Sequence, residues 1–131
     1  MSGAHPLEEL ARVLCRVFLG WRLREDYDAL LALGEGSLRV DLLRGEAWCD
    51  GEPIPPLFIA GELRAALHKG LAAEALPADA LREAVLEAEF AARRPRGRPG
   101  PPRALALACR VRLVGPQGAF TAEANNAGPG V

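Results

Sequence analysis

Residues able to do chemistry are few in this chain and lie far apart. There are two histidines, His5 and His68, and three cysteines, Cys15, Cys49 and Cys109. His68 falls in a predicted helix near Glu62, Arg64 and Lys69, but a general base needs a partner that positions it within hydrogen-bond reach. Spacing identifies no such partner, so His68 reads as a surface or rim histidine, and His5 belongs to a loose start. Cys49, Asp50 and Glu52 gather metal-capable groups, yet a structural zinc site takes four ligands at recognisable spacing. Two histidines and three dispersed cysteines do not supply that pattern. The chain also lacks a glycine-rich phosphate loop entering a helix, a nucleophile elbow and a Ser/His pair. Glu87 and Glu89 alternate on a predicted strand and face one way, as paired acids sometimes do. Their expected place opposite Arg110 gives them a structural role instead. The expectation is a chain with no catalytic residue, no metal site and no cofactor, and hence not an enzyme.

The most specific local string is basic. Pro95-Arg96-Gly97-Arg98-Pro99, inside Arg93 to Arg103, resembles the AT-hook, an extended Arg-Gly-Arg-Pro core that lies in the narrow minor groove of A/T-rich DNA. In such a hook the glycine permits close approach and the arginines sit in enhanced negative potential. On this reading Arg96, Gly97, Arg98 and Pro99 are candidate DNA contacts. The bland reading is a solvated loop of biased composition. Lys69 is the only lysine in the chain, and alanine, glycine and proline abound, as GC-rich coding produces.

Composition bounds what these residues can belong to. At 131 residues, with 50% apolar and 25% charged, the chain is sized and composed as one globular domain with a real core. A net charge of −1 builds in no long-range attraction to nucleic acid or anionic membrane. Three scattered cysteines, outside any CxxC pair, read as buried free thiols in a reducing compartment. No apolar run approaches a membrane span and no signal pattern opens the chain, so an intracellular protein with no membrane partner is expected.

Periodicity then supplies the elements. Pro6 opens a helix whose stripe is Leu7, Leu10, Ala11, Leu14, Val17, Phe18 and Trp21, weakening at Gly20. Arg24 to Leu33 reads as a second short helix or an irregular link. Ser37 to Arg44 alternates as a strand, Gly45-Glu46 turns it, Ala47 to Cys49 returns, and Asp50-Gly51 turns again. Pro53, Pro55 and Pro56 are expected to end strand pairing. A helix follows from about Leu57 to Ala75, in which Gly61 and Gly70 each cost roughly 1 kcal/mol against alanine. Asp79 caps a last turn before the period changes to two. Leu86, Ala88, Phe90 and Ala92 form one inward row, and Leu105, Leu107, Cys109, Val111 and Leu113 the other. The turn at Gly115 to Gly118 sets Val114 opposite Ala119, Leu113 opposite Phe120 and Arg110 opposite both Glu123 and Glu87. The same count sets Phe90 opposite Leu107. Ala91, Ala104, Ala106, Ala108 and Ala119 would leave the outer face smooth, barely charged and in want of a cover. The expected fold class is α+β: an antiparallel sheet of about five strands with two main helices packed on it. Residues 1–5 and 126–131 are expected to be loose ends of a single domain, with a basic loop at 94–103.

Taken in order, the pieces resemble one family. A helix runs to Trp21, an acidic and basic string with a tyrosine follows (Arg24-Glu25-Asp26-Tyr27), and a Gly-Glu-Gly segment leads into a hairpin (Gly34 to Cys49). A helix bearing a histidine comes next (Ile59 to Leu71), then a strand closing in Ala88-Glu89-Phe90, a loop and an alternating strand. From about Leu7 to Val114 this order is similar to the adenovirus early-region-four ORF-three family. The resemblance implies a non-enzymatic nuclear protein of a DNA virus. In that family, dimers with a β core join through C-terminal segments into an open-ended network. The network captures host proteins, including the promyelocytic leukaemia body component, tripartite-motif proteins and DNA-damage sensors. Implied partners are therefore the chain itself, as a homodimer or larger, and host nuclear proteins. The candidate self-association residues are Ala91, Ala104, Ala106, Ala108, Arg110 and Arg112. The chain departs from the family in three places. Ala72 to Ala84 lacks an asparagine important for assembly there, the loop at Arg93 to Arg103 is longer and more basic, and Gly115 to Val131 extends past the family's end. A small DNA-binding module and a generic intracellular interaction domain are the alternatives.

Overall fold

The stretches of period two become a single antiparallel sheet, and those of period 3.6 become the helices laid against it. The computed structural model describes residues 5–21, 26–93 and 103–126. Within them run α1 (Pro6–Gly20), α2 (Tyr27–Leu33), β1 (Glu35–Asp41), β2 (Glu46–Cys49), β3 (Glu52–Ile54), α3 (Phe58–Ala73), a 3₁₀ turn (Ala78–Ala80), β4 (Glu83–Arg93), β5 (Arg103–Gly115) and β6 (Gly118–Asn125). The sheet has six strands in the order β3-β2-β1-β4-β5-β6. The class is α+β with two main helices, as expected.

The sixth strand is β3, which the prolines were expected to forbid. Asp50 (φ 50°) and Gly51 (φ 86°) both take left-handed backbone, the requirement of a two-residue hairpin turn. That turn sets Cys49 opposite Glu52 and Trp48 opposite Pro53. Pro53 is tolerated because β3 is an edge, where a missing amide breaks no ladder bond. Asp50 also accepts the Ser37 amide through its carboxylate at 3.0 Å, tying the turn to β1.

Register across the long strands follows the expected count as far as Glu87↔Arg110, Leu113↔Phe120 and Val114↔Ala119. It then slips. Glu89 pairs with Ala108 but Phe90 pairs with Ala106, so Leu107 is one residue too many on β5. Such a bulge shifts the alternation of facing by one residue where it occurs. Ala106 is therefore buried against the helices (1% exposed), while Leu107 is 41% exposed, the opposite of the alternation expected for both. Ala104 pairs with Ala92, and Arg93 with Arg103.

One face of the sheet is covered. Leu38, Val40, Leu86, Ala88, Phe90, Val111 and Leu113 point to a core shared with Leu14 and Phe18 of α1 and Ile59, Leu63 and Leu67 of α3. α1 lies along β5 and β6, and α3 rests on α1. Their crossing explains Gly70: a Cβ there would stand 2.4 Å from a Leu10 methyl. Gly61 has nothing within 4 Å, so its helix cost has no such compensation.

Both ends expected to be loose are anchored where the structure describes them. His5 caps α1, its Nδ1 accepting the Leu7 amide at 3.1 Å. That bond leaves Nε2 to donate to Gln117, and the ring stacks on Phe120 at 4.2 Å. Asn126 donates its backbone amide to Leu107 at 2.8 Å and its side-chain amide to Ala106 at 3.1 Å.

The start of α3 is capped from far away in sequence. Leu57, its N-cap residue, offers no side-chain acceptor. Asp26, only 3% exposed, instead accepts the Phe58 amide at 2.8 Å and the Ile59 amide at 3.2 Å. A carboxylate there meets both the unpaired amides and the positive end of the helix dipole. Asp26→Ala is expected to lower unfolding stability by about 2 kcal/mol or more, since bonds to a charged acceptor are lost and donors are stranded. In urea titrations Gly61→Ala should gain roughly 0.5–1 kcal/mol, whereas Gly70→Ala should show no gain or a loss through displacement of Leu10.

Candidate interaction surface

Among the described residues the other face of the sheet carries no helix, and its centre is a row of charges. Cross-strand partners run Pro53, Trp48, Arg39, Glu87, Arg110, Glu123 from one edge to the other. Each arises from simple alternation: the neighbours of Arg39, Glu87 and Arg110 along their strands are core residues, so these three must point outward. Signs alternate from β1 to β6. Arg110 Nε donates to Glu123 Oε1 at 2.7 Å, and the Arg39 guanidinium lies over the Trp48 ring, 5.7 Å from its centroid. The second contact gives a cation a π face to rest on and shields part of Trp48.

Flanking rows are milder. Ser37, Glu89, Ala108 and Asn125 align on one side of the charged row, and Asp41, Val85, Arg112 and Thr121 on the other. Together with Asp50 the central rows line an open concavity of about 750 Å³. Val85 is buried at 6% although it faces outward, flanked by Asp41 and Arg112.

This arrangement sorts the expected self-association residues. Ala91, Ala108, Arg110 and Arg112 are on the open face, and Ala91 and Ala108 are half-buried there. Ala106 is not, having been turned into the core by the bulge. Ala104 has a described backbone pairing only. The face is accordingly not a smooth alanine surface: its middle is ionic, so it can remain in water without a cover. The hook-like residues Arg96, Gly97, Arg98 and Pro99 lie outside the described residues.

Sequence reasoning missed Arg39 and Trp48 as members of this surface. The signal existed, since Arg39 falls between Leu38 and Val40. What the sequence withheld was that β1 lies beside β4, a pairing across more than forty residues that no local turn dictates.

His68 and Cys49 stand apart from this row. His68 is exposed on α3. Cys49 is buried beside Asp50, and burial first and that carboxylate second push its thiol up. Among the described residues no group of three or more His, Cys, Asp or Glu side chains could hold a metal ion, and no helix is long and apolar enough to cross a membrane. Comparison with known proteins finds no matching family model, no matching curated protein and no matching solved structure.

The row should cost little to alter. Its Arg110–Glu123 pair is more than half exposed on both sides. Exposed pairs contribute up to about 1 kcal/mol, so Arg39→Ala, Glu87→Ala and Arg110→Ala should each leave chemical denaturation within roughly 1 kcal/mol of the parent. A larger loss would mean that the row is part of what holds the sheet together.

Proposed function

We propose that this chain is a non-enzymatic, self-associating scaffold whose copies dock through the open sheet face. The observation supporting this reading is the order of signs across that face. Turned about a two-fold axis parallel to the strands, a second copy presents the row reversed. Arg39 then meets the second copy's Glu123, and Glu87 meets its Arg110. The flanking rows also agree: Glu89 falls on Ala108, Ser37 on Asn125, Asp41 on Thr121 and Val85 on Arg112. Turned about the other in-plane axis, every arginine would oppose an arginine. A single self-complementary patch is what a two-fold interface requires.

Exposed ion pairs are individually weak, so the row selects orientation and partner more than it supplies affinity. Twist limits direct opposition to the middle of the face, where the charged row lies. Acids also shape what the face refuses. Among the described side chains, Glu35, Asp41, Glu83, Glu87, Glu89 and Glu123 outnumber Arg39, Arg110 and Arg112 there, which opposes a phosphate backbone.

The element order shared with the adenovirus early-region-four ORF-three family supports a more specific form of the same reading. On it, the assembled protein is a scaffold of a DNA virus, acting in the host nucleus and holding host regulatory and antiviral proteins at many equivalent sites. The two-fold contact closes at two copies, so a larger assembly would rest on the second, C-terminal contact that the resemblance implies, and its avidity on their repetition.

The test uses two variants that cannot pair with themselves. Glu87→Arg with Glu123→Arg makes the row wholly positive, and Arg39→Glu with Arg110→Glu makes it wholly negative. By size-exclusion chromatography with light scattering the parent is expected to be a dimer or larger at micromolar concentration and each variant alone a monomer, with circular dichroism unchanged. Mixed in equal amounts, the two variants should recover the dimer. A monomeric parent refutes the scaffold, whereas a dimer indifferent to both variants places the contact elsewhere.

A further inference from the structure

α1 and β5 each bring a cysteine to one point beneath the sheet. Cys15 and Cys109 are free thiols, 1% and 5% exposed. Cys109 Sγ lies 3.7 Å from the Cys15 carbonyl oxygen, which sets the Cys109 thiol directly against Cys15. Cys15 Sγ in turn lies 3.5 Å from the Ala122 carbonyl of β6. Two cysteines 94 positions apart in sequence thus meet at one point. The third cysteine, Cys49, is on β2, three strands from β5, with Asp50 as its neighbour.

We propose that Cys15 and Cys109 are a modification site: a dithiol that hydrogen peroxide oxidises to a disulfide joining α1 to β5. The Cys15 sulfur, as thiolate, attacks one peroxide oxygen. The O–O bond breaks, and the departing hydroxide takes up a proton to leave as water, with Cys15 now a sulfenic acid. The Cys109 sulfur then attacks the Cys15 sulfur, the S–O bond breaks, and a second water leaves with the Cys109 proton. Two thiols lose two hydrogens and two electrons, and one peroxide becomes two waters.

The surroundings divide the two roles. Interaction with Cys109 lowers the Cys15 thiol against the opposing effects of burial and the Glu123 carboxylate, with help from the Val111 backbone and Arg16. That same interaction, together with burial, pushes Cys109 up, which keeps it a thiol until it is needed as the resolving partner. Reactivity follows the fraction present as thiolate, so Cys15 reacts first. Access comes from the position of the pair under the last two strands. β6 has a strand neighbour on one side only, and edge elements open locally at lower cost than central ones.

The experiment begins with the unaltered chain. It is exposed to hydrogen peroxide, quenched, denatured in N-ethylmaleimide and mapped by mass spectrometry without reduction. The expected product is a linked pair of peptides containing Cys15 and Cys109, two hydrogens lighter than their sum, with Cys49 alkylated. Its thermal midpoint should rise and fall back on adding dithiothreitol, because a link across so long a loop constrains the unfolded chain. In Cys109→Ser, oxidation should halt at a Cys15 sulfenic acid that dimedone captures. Linkage through Cys49, separate over-oxidation of Cys15 and Cys109, or a pair still reduced when Cys49 has been oxidised would each overturn the assignment. None of these readings involves the open face, so the result is independent of whether copies dock there.

Discussion

The inward row of β4 has to be dry, and most of the structure follows from that. Leu86, Ala88, Phe90 and Ala92 are all buried on a strand with β1 on one side and β5 on the other. Neighbours on both edges satisfy its backbone, and the helical layer removes its side chains from water. The helices cannot cover the row unless they are themselves held. α1 is fixed at its start by His5, and α3 by Asp26. Gly70 lets α3 pack closely on α1 at Leu10.

Much of this is legible from alternation. The β4 row, the Gly115 to Gly118 turn and the matching of Arg110 with both Glu87 and Glu123 all follow from counting by twos between turn residues. The bulge at Leu107 does not. Ala-Leu-Ala-Leu-Ala-Cys reads as unbroken alternation, and an extra residue in such a run changes no local preference, so only pairing with β4 reveals it. Asp26 was hidden for a related reason. Its partners are amides of residues 58 and 59, and nothing in its own neighbourhood distinguishes a helix cap at a distance from an ordinary acidic residue. Pro53 misled in the opposite direction. The rule against proline in sheets concerns strands with two neighbours, and β3 has one.

The open face shows how a surface can be specific without being apolar. An exposed alanine plane would have needed permanent shelter. The alternating row tolerates water, yet its order of signs still distinguishes one approach from another. On the proposed reading, this moves the weight of the contact from burial to arrangement, and from Ala106 to Arg39 and Glu87. The resemblance in element order and the self-complementary row are separate supports for one reading. The first comes from the succession of helices, hairpin and strands, and the second from residues that this succession does not determine.

The two margins of the sheet are chemically unlike. On β3, Pro53 withholds an amide at the position that would face outward, and the strand is only three residues long. β6 is eight residues long, and alternation of its pairing with β5 turns the main-chain groups of Ala119 and Thr121 away from the sheet. A ribbon that grows endlessly by stacking tail to head needs two competent rails, and this molecule has one. Addition at the margin can therefore join two copies rail to rail and then stops. Pro53 thus blunts one margin of the sheet against the addition of a further strand.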